Sequence, residues 1–257
     1  MTEDQSLINK IAVVTGGGRG IGRSIALSLA KGGANIALCA RTATEVNSVA
    51  AEIRSLGHQA LALPVDVSDW VQVDKFSRDV VEEFGHVDVL INNAGGGFEA
   101  TPVAESQPKR WRQTVEVNLF GTYHMIRAFL ESMPRGGKII NITSGMGLEA
   151  RPGNSSYNAA KAGAHMLTQC LALEVWDRGI DVNDIIPGLV ATTNVEWASD
   201  RSSVESVLAE FEGKQPPFAP SERVKHPDEI GELVHWVACM PEGGPTGQSF
   251  SLARRPF

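Results

Sequence analysis

Tyr157 and Lys161 stand four residues apart in YNAAK (157–161), and Ser144 lies thirteen residues before the tyrosine. On a helix, positions i and i+4 share a face, so a phenol and an ammonium at this spacing can line one cavity. The chemistry such a pair offers is proton transfer. A free tyrosine titrates at about 10 and is a poor base at neutral pH. One positive charge at roughly 4 Å contributes up to about 4 kcal/mol at an effective dielectric near 20, which converts to a lowering of about 3 pH units at most. The expectation is a phenol drawn toward neutrality, where a proton-transfer group works best. Taken singly, each residue has a plainer reading: a capped surface aromatic, a solvated helix charge and a residue at a strand end.

A second cluster is TGGGRGIG (15–22), comprising Thr15, Gly16, Gly18, Arg19, Gly20, Ile21 and Gly22 among its members. Residues without a Cβ allow a tight turn and close backbone approach to a ligand. The free N–H groups of a helix opening behind that turn suit a pyrophosphate. The spacing is Gly16-x3-Gly20-x-Gly22 rather than the stricter GxGxxG. Beyond the next apolar run the chain reads Cys39, Ala40, Arg41, Thr42. An NAD-selective site commonly offers a carboxylate there to the ribose 2′-hydroxyl. None stands at position 40. Arg41 can instead fork onto a 2′-phosphate, with Arg19 as a second candidate. NADP(H) is therefore favoured over NAD(H), unless both arginines are solvated surface charges.

Elements must position these groups. Short apolar runs at 11–15, 35–40, 60–65, 87–92, 138–143 and 180–186 alternate with stretches of helical length at 20–32, 43–57, 69–84, 108–133 and 155–178. Near-continuous apolar runs suit strands covered on both faces. Val73, Phe76, Val80 and Phe84 recur at helical spacing, with Ser68 and Asp69 as candidate N-caps. A further helix at 227–240 and a short strand near 247–252 complete the count. The alternation predicts an α/β fold: a doubly wound Rossmann fold with a mostly parallel seven-stranded sheet and helices on both faces. No linker or repeat interrupts it, so one domain over 1–257 is expected. The alternation weakens at 189–226, which holds Trp197, Phe211 and Phe218 as exposed-looking aromatics. That segment reads as a substrate lid, or else as a surface excursion with two short helices.

Composition bounds the function. Lys plus Arg is 23 and Asp plus Glu is 30, a formal charge of −7, which argues against nucleic-acid binding. A 42% hydrophobic, 21% charged chain can bury a core. Cys39, Cys170 and Cys239 are odd in number and form no CxxC pair, which fits a reducing compartment and excludes a cysteine zinc site. The six histidines are scattered, so no metal is expected. No secretory signal and no run of membrane-spanning length is visible, so the cytoplasm is the expected location, without membrane partners.

TGGGRGIG, NNAG (92–95), Asn118, Ser144, YNAAK and PGLVAT (187–192) occur in one order and spacing. In these motifs, over roughly residues 8–252, the chain resembles the short-chain dehydrogenase/reductase family, in its ordinary subgroup of 3-oxoacyl carrier-protein reductase-like ketoreductases. The resemblance implies that Tyr157 is the general acid/base, that Ser144 holds the substrate oxygen, and that Lys161 binds the nicotinamide ribose and favours the tyrosinate. It implies that Asn118 positions a water in a proton relay. Asn93, Ala94 and Gly95 would pack along the adenosine side, and Asp66 and Val67 would contact adenine. Pro187, Gly188, Val190 and Thr192 would bracket the nicotinamide carboxamide. Gly97, within the segment 96–105, would line the substrate pocket with Met146, Leu148, Leu189 and Trp197. An apolar pocket of that kind suits a hydrophobic ketone or secondary alcohol better than a sugar phosphate. A homotetramer, or a homodimer, is implied as well. A nucleotide-sensing, catalytically silent protein is the alternative, although such proteins usually lose the Tyr or the Lys. Enoyl reductases commonly carry a longer Tyr-to-Lys spacing.

Two features depart from the pattern. The end of the chain reads TGQSFSLARRPF (246–257), without the paired glycines common in relatives; Arg254 and Arg255 could meet an acidic substrate or a partner's carboxylates, or remain solvated. Asp184 interrupts the apolar strand VNDIIPG, and a buried carboxylate needs a partner that the sequence does not name.

Overall fold

The computed structural model describes residues 6–193, 195, 197–214, 216, 219 and 222–253. Arg254, Arg255 and Phe218 therefore lie outside the described residues. The strands are β1 (Ile11–Thr15), β2 (Asn35–Ala40), β3 (Ala60–Pro64), β4 (Val89–Asn92), β5 (Lys138–Ile142), β6 (Asp181–Ile186) and β7 (Ser249–Ser251). They form one sheet in the order β3-β2-β1-β4-β5-β6-β7, and every pairing is parallel. The helices are α1 (Gly20–Lys31), α2 (Ala43–Ser55), α3 (Trp70–Phe84), α4 (Pro108–Val115), α5 (Gly121–Phe129), α6 (Ser155–Glu174), α7 (Val204–Glu210) and α8 (Pro227–Ala238).

Successive strand residues point to opposite faces, and both faces are buried. Ala12, Val14, Ile36 and Leu38 join Ile25 and Leu29 of α1, Val46 and Ile53 of α2, and Ile230 and Val234 of α8 in one core. Val13, Ala37, Leu90 and Ile139 join Val73, Phe76 and Val80 of α3, Met125 and Phe129 of α5, and Leu171 of α6 in the other. Phe76 and Phe129 meet edge to face at 5.8 Å between centroids. Asp69 caps α3 by accepting from the amides of Val71 (2.9 Å) and Gln72 (3.3 Å).

The strand order reverses direction between β1 and β4, which leaves a crevice at their carboxyl ends where open α/β sheets take ligands. One expected helix is not continuous. The stretch 108–133 divides into α4, a π-helical turn at Glu116–Phe120, α5 and a 3-10 turn at Leu130–Ser132. The asparagine inside the π turn explains the interruption: the Asn118 side chain itself donates to the Thr114 carbonyl (2.8 Å), a group the helical ladder would otherwise use. Likewise, α6 ends at Glu174, four residues short of the expected boundary. Trp197 and Phe211 are not exposed as read. Their rings pack edge to face at 5.3 Å over a small core of Ala191, Ala198 and Val207. Among the described residues, no helix is long and apolar enough to cross a membrane.

Candidate active site

The carboxyl ends of β1 and β4 are tied together by one threonine and one asparagine. Thr15 Oγ1 accepts from the amides of Asn93 and Ala94, each at 2.9 Å, and Asn93 Nδ2 donates to the Thr15 carbonyl at 2.9 Å. Thr15 thus lies beneath the crevice wall rather than on it. The glycine turn then bends sharply into α1. Gly16 (φ +63°) and Gly20 (φ +54°) occupy the left-handed region that favours glycine. A methyl group at Gly22 would stand 2.5 Å from Asn93 Nδ2 and strike the Gly16 carbonyl, so this position is glycine because the turn closes onto it. No side chain caps the start of α1, which leaves its amides to a ligand.

A single cavity of about 400 Å³ runs from this turn to the Tyr157–Lys161 pair. Its walls include Gly16, Gly18, Arg19, Gly20, Ile21 and Gly22, then Arg41, Thr42, Asp66 and Val67 on one side. Asn93, Ala94, Gly95, Pro187, Gly188, Val190 and Thr192 follow toward Ser144, Tyr157 and Lys161. A Cβ on Gly20 would lie 3.4 Å from the Thr192 side chain, so the turn and the segment after β6 face each other closely. Among the described residues, no carboxylate pairs with Arg41, which is exposed at the cavity rim. Arg19 is instead engaged by Glu45 of α2 at 3.6 Å. Glu45 also lines the cavity, and the sequence reading missed it because nothing in a helical glutamate signals proximity to the glycine turn. Leu189 and Trp197 line the cavity. Gly97, Met146 and Leu148 do not: Gly96 and Phe98 take the place read for Gly97, and Leu148 is exposed.

The reacting end is built on three elements. Ser144 follows β5 and opens a 3-10 turn, Gly145–Gly147, by accepting from the Met146 amide at 3.2 Å. That turn presses on α6, where a Cβ at Gly147 would stand 2.8 Å from the Lys161 carbonyl carbon. Asn158 fastens it further, donating to the carbonyls of Met146 (2.5 Å) and Glu149 (2.8 Å). Lys161, 5% exposed, donates to the Ile142 carbonyl at 2.8 Å, and its Nζ stands over the Tyr157 ring at 5.7 Å from the centroid. Asn118 is fully buried and does not reach the cavity surface. Its Nδ2 donates to the Gly96 carbonyl (2.7 Å) and its Oδ1 accepts from the Gly96 amide (3.1 Å), which fixes the loop after β4.

The electrostatics correct one expectation. Burial raises the Tyr157 phenol above its ordinary value, and a hydrogen bond with Ser144 offsets only part of that rise. The net lowering expected from Lys161 is not seen, because burial of the phenol outweighs the effects that favour the phenolate. Burial acts on Lys161 too, pulling it from 10.5 down to about 8, with the Asp184 carboxylate pulling it back up. Asp184 now has its partners: His165 (2.8 Å), Ser249 (3.0 Å) and Thr143 (2.6 Å).

The residues present fit a nicotinamide dinucleotide. The turn is a cradle that side chains would fill, the α1 amides are open to a pyrophosphate, and the crevice runs unbroken to a phenol. The sequence model of the family described as short chain dehydrogenase matches residues 10–202. This chain belongs to that family. A 3-oxoacyl-[acyl-carrier-protein] reductase of Synechocystis sp. is 33% identical over 251 residues, covering 96% of each chain. A short chain dehydrogenase from Burkholderia cenocepacia J2315, solved in complex with NADP, superposes with a TM-score of 0.82 at 31% identity, covering 96% of this chain and 98% of that one. An NAD+-bound xylitol dehydrogenase gives a TM-score of 0.82 at 25% identity, covering 97% and 99%. As a short-chain dehydrogenase the protein is an oxidoreductase, similar in sequence to 3-oxoacyl-[acyl-carrier-protein] reductases. Among its described residues, no group of three His, Cys, Asp or Glu side chains could hold a metal ion.

Proposed function

We propose that this short-chain dehydrogenase interconverts a hydrophobic ketone, with a 3-oxoacyl chain as first candidate, and its secondary alcohol, using NADP(H). The observation that carries the reading is the joining of Ser144, Tyr157 and Lys161 to the glycine turn in one cavity. The nicotinamide, when bound, supplies the hydride chemistry. The glycine turn and α1 amides would hold the pyrophosphate, Lys161 the ribose next to the nicotinamide, and Pro187 to Thr192 its carboxamide side. Arg41 would meet the 2′-phosphate, and its freedom from any described carboxylate supports NADP(H) over NAD(H).

Ser144 and Tyr157 would share the substrate oxygen. A phenol raised by burial keeps its proton at neutral pH, which suits Tyr157 as the acid of the reductive direction: Oη gives its proton to the oxygen as charge develops there. Ser144 steadies the same oxygen by a hydrogen bond. The apolar side chains of Phe98, Leu189, Val195 and Trp197 border this end of the cavity, which favours an apolar substrate over a phosphosugar. We read 189–226 as the lid over it. The segment carries its own small core and is pinned at its base, where Ala191 donates to the Lys225 carbonyl (2.9 Å) and Lys225 to that of Leu189 (3.0 Å). Exposed Phe120, Tyr123 and Leu173 on the π turn, α5 and α6 support a homotetramer built on those faces. The three cysteines, all thiols, agree with a reducing cytoplasm.

The test is NADPH consumption with a panel of 3-oxoacyl thioesters, aliphatic and aryl ketones, and phosphosugars. Tyr157→Phe should lower kcat by roughly 10²–10⁴ while NADPH still binds. Retained turnover, or activity on phosphosugars alone, would overturn the reading. Arg41→Ala should weaken NADPH binding by roughly tenfold or more and leave NADH unchanged, as loss of a charge-assisted bond of about 1.5–3 kcal/mol requires.

A further inference from the structure

Asp184 lies within β6 at 1% exposure, between Asn183 and Ile185 in a strand that is buried throughout. Its carboxylate is fully engaged. Thr143 Oγ1 donates to Oδ1 at 2.6 Å, Ser249 Oγ donates to Oδ2 at 3.0 Å, and His165 Nδ1 stands 2.8 Å from Oδ2. On the far side of the imidazole, Gln169 Nε2 lies 3.2 Å from His165 Nε2. With the amide donating there, the ring proton sits on Nδ1 and points at Asp184, so a neutral imidazole satisfies both contacts. Tyr157, Lys161, His165 and Gln169 succeed one another at four-residue steps along α6, one turn apart. Lys161 Nζ donates to the Ile142 carbonyl at 2.8 Å, and the very next residue, Thr143, donates to Asp184, so the carboxylate is tied to the residue adjoining the ammonium's own acceptor.

We propose that Asp184, braced by His165, Ser249 and Thr143, is a positioning residue for Lys161: its buried negative charge keeps the lysine in the ammonium form that holds the cofactor ribose beside Tyr157. This inference rests on the cofactor-binding role proposed above for Lys161. Asp184 acts on Lys161 against the effect of burial, in agreement with the geometry. The other charged groups on elements packed against α6 are placed differently. Lys109, Arg110 and Arg112 of α4 are exposed, and Glu116 lies half-buried on the π turn. Lys138 of β5 and Asp181 of β6 neutralise each other as a buried pair at the opposite ends of their strands. Asp177 and Arg178 lie on the 3-10 turn beyond the end of α6. On α6 itself the titratable neighbours are Tyr157 and His165, while Cys170 and Glu174 lie further along; β7 brings only Ser249 to the carboxylate.

The experiment follows NADPH and NADH binding by fluorescence across the pH range on either side of Lys161's titration, using full-length wild type, Asp184→Asn and Asp184→Ala, with folding checked by circular dichroism. Wild-type Kd should climb as pH passes about 8. In each folded variant the midpoint of that climb should fall by roughly one pH unit, as removal of one nearby buried charge requires. A merely structural role would weaken binding at every pH without moving the midpoint. An unmoved midpoint in either folded variant overturns the proposal. A wild-type midpoint below neutrality does so without any variant. Absence of binding by both cofactors would instead refute the cofactor-binding role, so the two failures are separable.

Discussion

Asn118 is the joint between the loop after β4 and the π turn, and its removal has a cost that can be worked out. Asn118→Ala deletes three hydrogen bonds: two donated by Nδ2, to Gly96 (2.7 Å) and Thr114 (2.8 Å), and one accepted by Oδ1 from Gly96 (3.1 Å). At a net value of about 1 kcal/mol each, the loss is about 3 kcal/mol. Gly96 is only half-buried and regains water, which argues against a larger figure. A chain of this length should then lose roughly 6–12 °C in Tm, at about 2–4 °C per kcal/mol. Urea unfolding at matched protein concentration should show a lower midpoint with unchanged slope. The partner substitution sharpens the test. A methyl at Gly95 would stand 2.5 Å from Asn118 Oδ1, so Gly95→Ala should cost about 1–3 kcal/mol in the wild type. In the Asn118→Ala background that oxygen is gone, and the same change should cost much less. Strictly additive penalties, or a loss below about 1 kcal/mol for Asn118→Ala, would refute this account of the loop.

Two further outcomes follow from buried charge. The folded protein holds Lys161 at about 8 against 10.5 for the ordinary side chain, so between these values it binds fewer protons than the unfolded chain. The residue therefore makes stability rise with pH across that window, by roughly 3 kcal/mol at most, and Lys161→Met should flatten the rise when unfolding is compared at the two ends. Lys225 and Glu222 form an ion pair at 3.2 Å with side chains 1% and 3% exposed, so Lys225→Met, which breaks a buried ion pair, should cost about 3–5 kcal/mol. The cost of Lys225→Met should be smaller in a Glu222→Gln background than in the wild type, and strictly additive penalties would contradict the pairing.

The sheet was legible because parallel strands buried on both faces write themselves as apolar runs, and Val13 and Val14 serve opposite cores with no polar residue between. The cavity walls were legible where glycine or a four-residue helical spacing marks them, as at Gly16, Gly20 and Tyr157-x3-Lys161. What escaped was set by packing across sequence distance. The π turn at Glu116–Phe120 depends on where the Asn118 side chain points, which periodicity does not carry. Glu45 reaches the cofactor crevice because the Gly18 backbone lies against it, a contact between segments some two dozen residues apart. His165 is unremarkable in sequence until β6 brings Asp184 beside it, and Met146 and Leu148 read as pocket residues until the turn around Gly147 is seen pressed against α6.

The reversal at Tyr157 alters the account of how the site handles charge. An ammonium adjoining the hydroxyl would have drawn the phenol toward neutral pH; here burial acts on both groups and favours the neutral form of each. With the phenol protonated, the ammonium of Lys161 and the carboxylate of Asp184 balance, and the buried cluster carries no net charge. In the role proposed for Tyr157, proton donation would break that balance by leaving a negative phenolate, and that charge, on a ring whose centroid lies 5.7 Å from Lys161 Nζ, would strengthen the hold of Lys161 on its proton. Lys161 would thus be more firmly an ammonium after the phenol had reacted than before. On that reading the site would stabilise the product of proton transfer through a charge already in place, without keeping a strong base exposed between turnovers.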